Sequence, residues 1–232
     1  MKKVLITGIS TGIGKAIFEH LTSLGFEVFG CGRRELNLPN YLQIDLEEDG
    51  AVEILYKKAV EYLGGVDILI NNAGKYIYSK IEDMKTADTA SMVKLNFEAP
   101  YNLIAIAIPY MKQNNWGRII NIGSISGVVG EGYATLYSAT KSAFMGLTKA
   151  LALEVAEYGI TVNTINPGWV ESELSQNNSE NEITKDDNLQ VIPQKRYIEP
   201  IEIAKLCEYL ISDGAKGVTG QGISLCAGLS VG

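Results

Sequence analysis

Histidine is nearly missing: His20 stands alone in 232 residues. That excludes His-rich metal centres and most Ser-His or Cys-His catalytic arrangements. Cysteine is scarce as well. Cys31, Cys207 and Cys226 lie far apart in apolar segments, with no C-x-x-C pair to suggest a zinc ribbon or a thiol redox motif. Basic residues are outnumbered, 20 against 27 acidic, for a net charge of −7. Nucleic acid and anionic membranes both require a basic face, so neither is expected as a partner. No run of 18 apolar residues exists to span a bilayer; the longest, 103–111, is interrupted by Pro109. Only Val4-Leu5-Ile6 follow Met1-Lys2-Lys3, too little for a secretory leader, and a reducing cytoplasm is the expected setting.

What is present is an alternation. Short Val/Ile/Leu runs predict strands at 4–7, 28–31, 42–45, 66–70, 118–122, 161–165 and 222–225. Between them, helical spacing predicts helices at 12–24, 51–63, 89–111 (with Pro100 and Pro109 as kinks or breaks), 139–156 and 201–210. Unalternating apolar strands are the mark of burial on both faces. The expected fold is therefore a single α/β domain: a Rossmann-like, doubly wound parallel sheet of about seven strands with helices on both faces. One polar stretch, 171–195, interrupts the rhythm. It reads either as a substrate lid or as a solvated surface loop.

Three local patterns carry chemistry. The first is Thr7-Gly8-Ile9-Ser10-Thr11-Gly12-Ile13-Gly14, between the first strand and the first helix. Glycines there permit a tight turn and close approach to a pyrophosphate, and the helix N-terminus supplies free amides and a positive dipole end. The second lies at the end of the next strand, where a carboxylate commonly holds the ribose of NAD. Here Arg33 and Arg34 follow instead. Guanidinium groups can clamp a 2′-phosphate, which favours NADP(H) over NAD(H); the competing reading makes the arginines a solvated turn and gives the acid's role to Glu35. The third is Tyr137-Ser138-Ala139-Thr140-Lys141, which puts a phenol and an ammonium one helical turn apart on one face. The ammonium is expected to lower the phenol's pKa towards the working range of a proton-transfer catalyst. Ser124 sits 13 residues upstream, at the carboxyl end of a strand, where ligands of α/β sheets bind.

Together these motifs resemble the short-chain dehydrogenase/reductase family, in its short single-domain branch. The cofactor turn Thr7-Gly8-x-x-x-Gly12-Ile13-Gly14 is joined by Asn71-Asn72-Ala73-Gly74, by Asn96 in Lys94-Leu95-Asn96-Phe97, and by Asp45-Leu46. Pro167-Gly168-Trp169-Val170-Glu171-Ser172 and Thr219-Gly220 also fit, so the likeness runs from Lys3 to about Gly228. It implies a catalytic tetrad of Asn96, Ser124, Tyr137 and Lys141: Tyr137 as general acid in reduction, Lys141 on the nicotinamide ribose, Ser124 on the substrate oxygen, and Asn96 holding a water in a proton relay. It implies further cofactor contacts from Asp45, Leu46, Asn72, Ala73, Gly74, Pro167, Gly168, Val170 and Ser172. A homodimer or homotetramer is implied as well, and the apolar face Phe144, Leu147, Leu151 and Val155 suits either that role or the core.

The expected substrate is a small free carbonyl compound or its alcohol. Pro193-x-x-Arg196 followed by Pro200-x-Glu202-Ile203-Ala204 is similar to the 3-oxoacyl-acyl-carrier-protein reductases of the family. Their basic docking positions, however, read Asn114-Asn115-Trp116 and Glu157-Tyr158 here, and like charges disfavour an acidic carrier. A catalytically silent NADP(H)-sensing protein is the alternative of another class. Glu131 and Tyr133, between Ser124 and Tyr137, either read the substrate or face water.

Overall fold

The computed structural model describes residues 1–171 and 189–231. Seven parallel strands form one sheet in the order β3-β2-β1-β4-β5-β6-β7. They are β1 (Lys3–Thr7), β2 (Glu27–Gly32), β3 (Tyr41–Gln43), β4 (Ile68–Asn71), β5 (Gly117–Ile122), β6 (Ile160–Pro167) and β7 (Gly222–Leu225). The chain winds outward one way from β1 to β3, then returns to place β4 on the other side of β1. Crossovers at that reversal leave a crevice at the carboxyl ends of β1 and β4, where the register pairs Ile6 with Ile70.

Alternate side chains of each strand feed two cores. Val4, Ile6, Ile68, Ile70 and Ile120 meet Ile17 and Leu21 of α1 (Gly12–Ser23), together with Ile203 and Leu210 from the helix Pro200–Ile211. Leu5, Leu69, Ile119 and Val162 face the opposite layer. There they meet Leu55 of α2 (Ala51–Leu63), Leu103 of the helix Ala99–Gln113 and Val155 of the long helix Thr135–Val155. The expected doubly wound sheet is thus the fold, with every predicted strand at its place to within about two residues. His20, on α1, bonds Glu208 across the helix pair at 2.7 Å.

Two helical regions differ from the sequence expectation. The single pattern at 89–111 is two helices, α3 (Thr86–Val93) and α4 (Ala99–Gln113), joined by a π-helical turn over Lys94–Glu98. Pro100 follows directly on the π turn, two residues after Glu98, and Pro109 is accommodated inside α4. After β5 comes a short helix, α5 (Ser126–Val129), which the sequence reading did not contain; α6 (Thr135–Val155) then starts four residues earlier than expected. The helix Pro200–Ile211 is α7. Of the apolar face of α6, Phe144 and Val155 are buried, and Leu147 and Leu151 are half-buried against the core that holds Val155.

Candidate active site

Thr7 ends β1 and organises the crevice. Its Oγ1 accepts the backbone amides of Asn72 at 3.0 Å and Ala73 at 2.9 Å. In return the Asn72 side-chain amide donates to the carbonyls of Thr7 and Gly8, both at 2.9 Å. The segment after β4 is thereby tied to the glycine turn by four hydrogen bonds. Replacing Asn72 by Ala strands two carbonyls, and a loss of about 1–3 kcal/mol is expected, read as a lowered unfolding midpoint. The turn also runs very close to the helix: a Cβ on Gly14 would lie 2.1 Å from the Gly8 carbonyl oxygen.

This packing leaves the start of α1 open to a ligand. Thr11, at the N-cap, makes no side-chain bond to the first-turn amides, and that turn carries no acid. Those donors and the dipole end face a cavity of about 470 Å³. Gly8, Ser10, Thr11, Gly12 and Ile13 line one end of it, and Tyr137 and Lys141 line the other. Arg33, Arg34, Asp45, Leu46, Asn72, Ala73 and Gly74 line it as expected, whereas Asn96 and Ser124 are buried beside it and are not among its lining residues. Amide donors at one end, arginines beside them and a phenol–ammonium pair at the far end suit a nicotinamide dinucleotide. Gly14 supports the turn from behind. Pro167 ends β6 and Gly168 and Val170 follow it, but none of the three is among the cavity's lining residues, and Ser172, like most of the stretch 171–195, lies outside the described residues.

Arg33 extends from the end of β2, with its Nη1 4.0 Å from the Asp45 carboxylate. Its carbonyl accepts the Gln43 side chain at 2.9 Å, and the Arg34 carbonyl accepts the Tyr41 hydroxyl. The Arg33–Asp45 pair is long and exposed, so it restrains the guanidinium only weakly. Ser10 approaches from the glycine turn, its Oγ 3.5 Å from where a Gly32 Cβ would stand.

At the other end, α6 carries the pair. Gly127 of α5 allows α6 to come close: a Cβ there would meet the Lys141 backbone carbon at 2.7 Å. Lys141 is buried and donates from Nζ to the Ile122 carbonyl at 2.8 Å. Burial pulls its pKa down to about 8. Its Nζ is 5.7 Å from the Tyr137 ring centre. The expectation that this ammonium acidifies the phenol is corrected by the structure. Burial dominates and pushes Tyr137 up to about 12, the Ser124 hydroxyl works against it, and the charge of Glu131 adds to it. Low dielectric penalises the phenolate more than an ammonium nearly 6 Å from the ring can compensate.

Asn96 occupies the π turn, fully buried. Its Oδ1 accepts the Lys75 amide at 2.8 Å, and its Nδ2 donates to the Lys75 carbonyl at 2.9 Å and to Thr140 Oγ1 at 3.3 Å. It therefore clamps the segment after Gly74 to α6, and it comes near Lys141 behind Gly74. Single π turns recur at functional sites because they re-aim one side chain.

Sequence reasoning missed Lys75 and Tyr76, which also line the cavity. Lys75 pairs with Glu47 at 2.5 Å. Burial alone would raise the Glu47 pKa, but hydrogen bonds from Lys75 and Ser91 and the charges of Lys75 and Arg33 hold it low. The Tyr76 ring meets Tyr137 edge-on at 4.9 Å. Their only sequence signal is position, directly after Asn72-Ala73-Gly74. Glu131 accepts hydrogen bonds from Tyr76 and Ser126, so it faces the site. Tyr133 is half-exposed, in a left-handed conformation (φ 62°), with its ring tilted against Tyr78 and its carbonyl accepting the Ser79 amide.

Residues 2–183 match the model of the family described as short chain dehydrogenase. The chain is 32% identical to a D-beta-hydroxybutyrate dehydrogenase of Rhizobium meliloti (strain 1021), over 98% of each chain. Among solved structures it superposes on a variant of the actinorhodin polyketide ketoreductase with NADPH, with a TM-score of 0.92 and 32% identity over 99% and 97% of the two chains. It also superposes on the 3-ketoacyl-(acyl-carrier-protein) reductase of Brucella melitensis complexed with NADH, with a TM-score of 0.90 and 26% identity over 99% and 98%. The chain belongs to the short-chain dehydrogenase/reductase family, and it is an oxidoreductase acting on carbonyl and alcohol groups.

Proposed function

We propose that the protein is an NADP(H)-dependent reductase of a small free carbonyl compound, with Tyr137 as proton donor. The observation that carries this reading is the shared cavity, with the glycine turn and Arg33 at one end and Tyr137 and Lys141 at the other. A bound nicotinamide supplies the hydride. Tyr137, kept protonated at neutral pH by its burial, donates its proton to the oxygen as negative charge builds there. Ser124 positions that oxygen. Lys141 stays charged below about pH 8 and offers a donor to the cofactor ribose. Asn96, held by the Lys75 backbone, steadies the wall behind Lys141.

The decisive experiment follows NADPH consumption by the purified protein against a broad carbonyl panel. Consumption with at least one free ketone or aldehyde is expected; binding of NADPH with no turnover on any member would favour the sensing alternative. A second reading, reduction of a 3-oxoacyl group on a carrier protein, is favoured by the likeness to the Brucella melitensis reductase. Strong preference for acetoacetyl-carrier protein over small ketones would establish it.

Arg33 decides the cofactor. A 2′-phosphate held by its guanidinium gains charge-assisted hydrogen bonds of about 1.5–3 kcal/mol, roughly 10- to 100-fold in affinity. Arg33→Ala should weaken NADPH by that factor and leave NADH nearly unchanged in fluorescence titrations. Tighter binding of NADH than NADPH by the unaltered protein overturns the assignment.

A further inference from the structure

Glu131 puts a carboxylate beside the reacting position. Its Oε2 accepts the Ser126 hydroxyl at 2.6 Å, and its Oε1 accepts the Tyr76 hydroxyl at 2.7 Å. Ser126 in turn lies against Ser124, with the two hydroxyl oxygens 3.1 Å apart and the Ser126 amide donating to Ser124 Oγ at 3.1 Å. Tyr76 packs its ring edge-on against Tyr137, centres 4.9 Å apart. The carboxylate thus stands one side chain away from Ser124 and one from Tyr137, within roughly 6 Å of Ser124 Oγ, the span of two hydrogen bonds.

Two hydroxyls hold this carboxylate in place, and neither neutralises it. Among the described residues no lysine or arginine pairs with Glu131. The nearby cations are engaged elsewhere: Lys75 pairs with Glu47, and Lys141 donates to the Ile122 carbonyl in the wall of the cofactor cavity. Each carboxylate oxygen keeps a further acceptor position, which suits a donor and repels a second anion. Further out, the same two segments meet again through uncharged groups. The rings of Tyr78 and Tyr133 lie 5.2 Å apart, the Ser79 amide donates to the Tyr133 carbonyl at 2.7 Å, and Val128 and Val129 of α5 are exposed.

We propose that Glu131 is a specificity-determining residue: it discriminates against carbonyl compounds with a carboxylate one or two carbons from the reacting centre, and so makes neutral ketones and aldehydes the substrate class. With the carbonyl oxygen at Ser124, such a carboxylate comes within about one Debye length of Glu131, and a half-buried site leaves little water between them to screen the repulsion. An amide or hydroxyl in the same place meets an acceptor instead. The charge acts on one transition state, so it discriminates equally in both directions: a 3-hydroxy acid is disfavoured in oxidation by the same factor as the 3-oxo acid in reduction.

The inference rests on the carbonyl-reduction reading, and its test separates the two. Acetoacetamide and acetoacetate share size and skeleton and differ in charge. With the NADPH-saturated protein at neutral pH, kcat/KM should favour acetoacetamide. Glu131→Gln should shift the ratio of the two kcat/KM values towards acetoacetate by about tenfold, the effect of one charge at roughly 8 Å in a medium between protein interior and water. Glu131→Asp keeps the charge and should keep most of the preference. Intrinsic reactivity of the two ketones, and any general loss of activity in a variant, cancel in this comparison. A merely structural role for Glu131 lowers both values together and leaves the ratio unchanged, and that result would overturn the proposal. If the wild type turns over neither compound, the same ratio is read from their dissociation constants in the complex with NADP+, by saturation-transfer NMR. A tenfold shift there upholds the charge assignment, while inertness towards the whole carbonyl panel counts against the reductase reading alone. An unchanged binding ratio, or no binding of either compound to either protein, overturns the proposal.

Discussion

Tyr137→Phe is expected to lose about a hundred- to ten-thousand-fold in kcat, the range for removing a general acid. NADPH affinity should stay within about threefold, since what differs between the two side chains is the hydroxyl aimed at Ser124. The measurement pairs steady-state NADPH oxidation with a fluorescence titration of NADPH binding. Turnover within a few-fold of wild type would show that the proton comes from elsewhere, with Ser124 or water as the remaining donors. The pH profile gives a second handle. Reduction needs Tyr137 protonated and, on this reading, Lys141 charged. Tyr137 meets its condition across the neutral range because burial raises it to about 12. Lys141, lowered by burial to about 8, loses its charge as pH rises through that value. The reductive rate should therefore fall on the alkaline side with an apparent pKa near that of Lys141, and the fall should vanish in Lys141→Met, whose overall rate is low at every pH. A decline that survives in Lys141→Met would assign the titration to another group.

That profile also marks how far sequence reaches into the site. The pairing of Tyr137 with Lys141 is visible in the sequence because an i, i+4 spacing fixes two side chains on one helical face without reference to the rest of the chain. The glycine turn is equally local, and it lies in the structure where the spacing of Gly8, Gly12 and Gly14 puts it. What spacing alone cannot show is which force governs Tyr137. Its high pKa comes from burial first, with the ring of Tyr76 from the segment after β4 against it, while from the segment after β5 the Ser124 hydroxyl works against the rise and the charge of Glu131 adds to it. The same holds for Asn96. Helical periodicity runs on through 89–111, yet the chain inserts a π turn over Lys94–Glu98 because the Asn96 amide finds both backbone groups of Lys75, 21 residues away. Glu131 is the sharpest case: as one acid in a glycine-rich loop it reads equally well as solvated, and only the fold brings Ser126 and Tyr76 to its two oxygens.

Gly14→Ala should be the most disruptive change to cofactor binding that a single methyl can cause here. The added carbon would stand 2.1 Å from the Gly8 carbonyl oxygen and 2.4 Å from Asn72 Nδ2, distances at which no side-chain rotation helps because the first of them is to backbone. Either the glycine turn lifts away from α1 or α1 slides along the sheet. In both cases Asn72 loses its grip on the Gly8 carbonyl, and the first-turn amides no longer converge on the phosphate position. Overpacking of this kind costs about 1–3 kcal/mol, which in a chain of this size lowers the unfolding midpoint by roughly 2–12 °C. NADPH affinity should drop by about a hundredfold or more, because misplaced amides lose several hydrogen bonds to one ligand. Gly146→Ala is the control. Gly146 lies inside α6 with nothing within 4 Å of an added Cβ, so the same substitution there should raise stability by about 0.5–1 kcal/mol and leave binding alone. Equal affinities in the two variants would mean that the dinucleotide does not sit on the glycine turn, and Arg33 would then have to be read as a solvated residue.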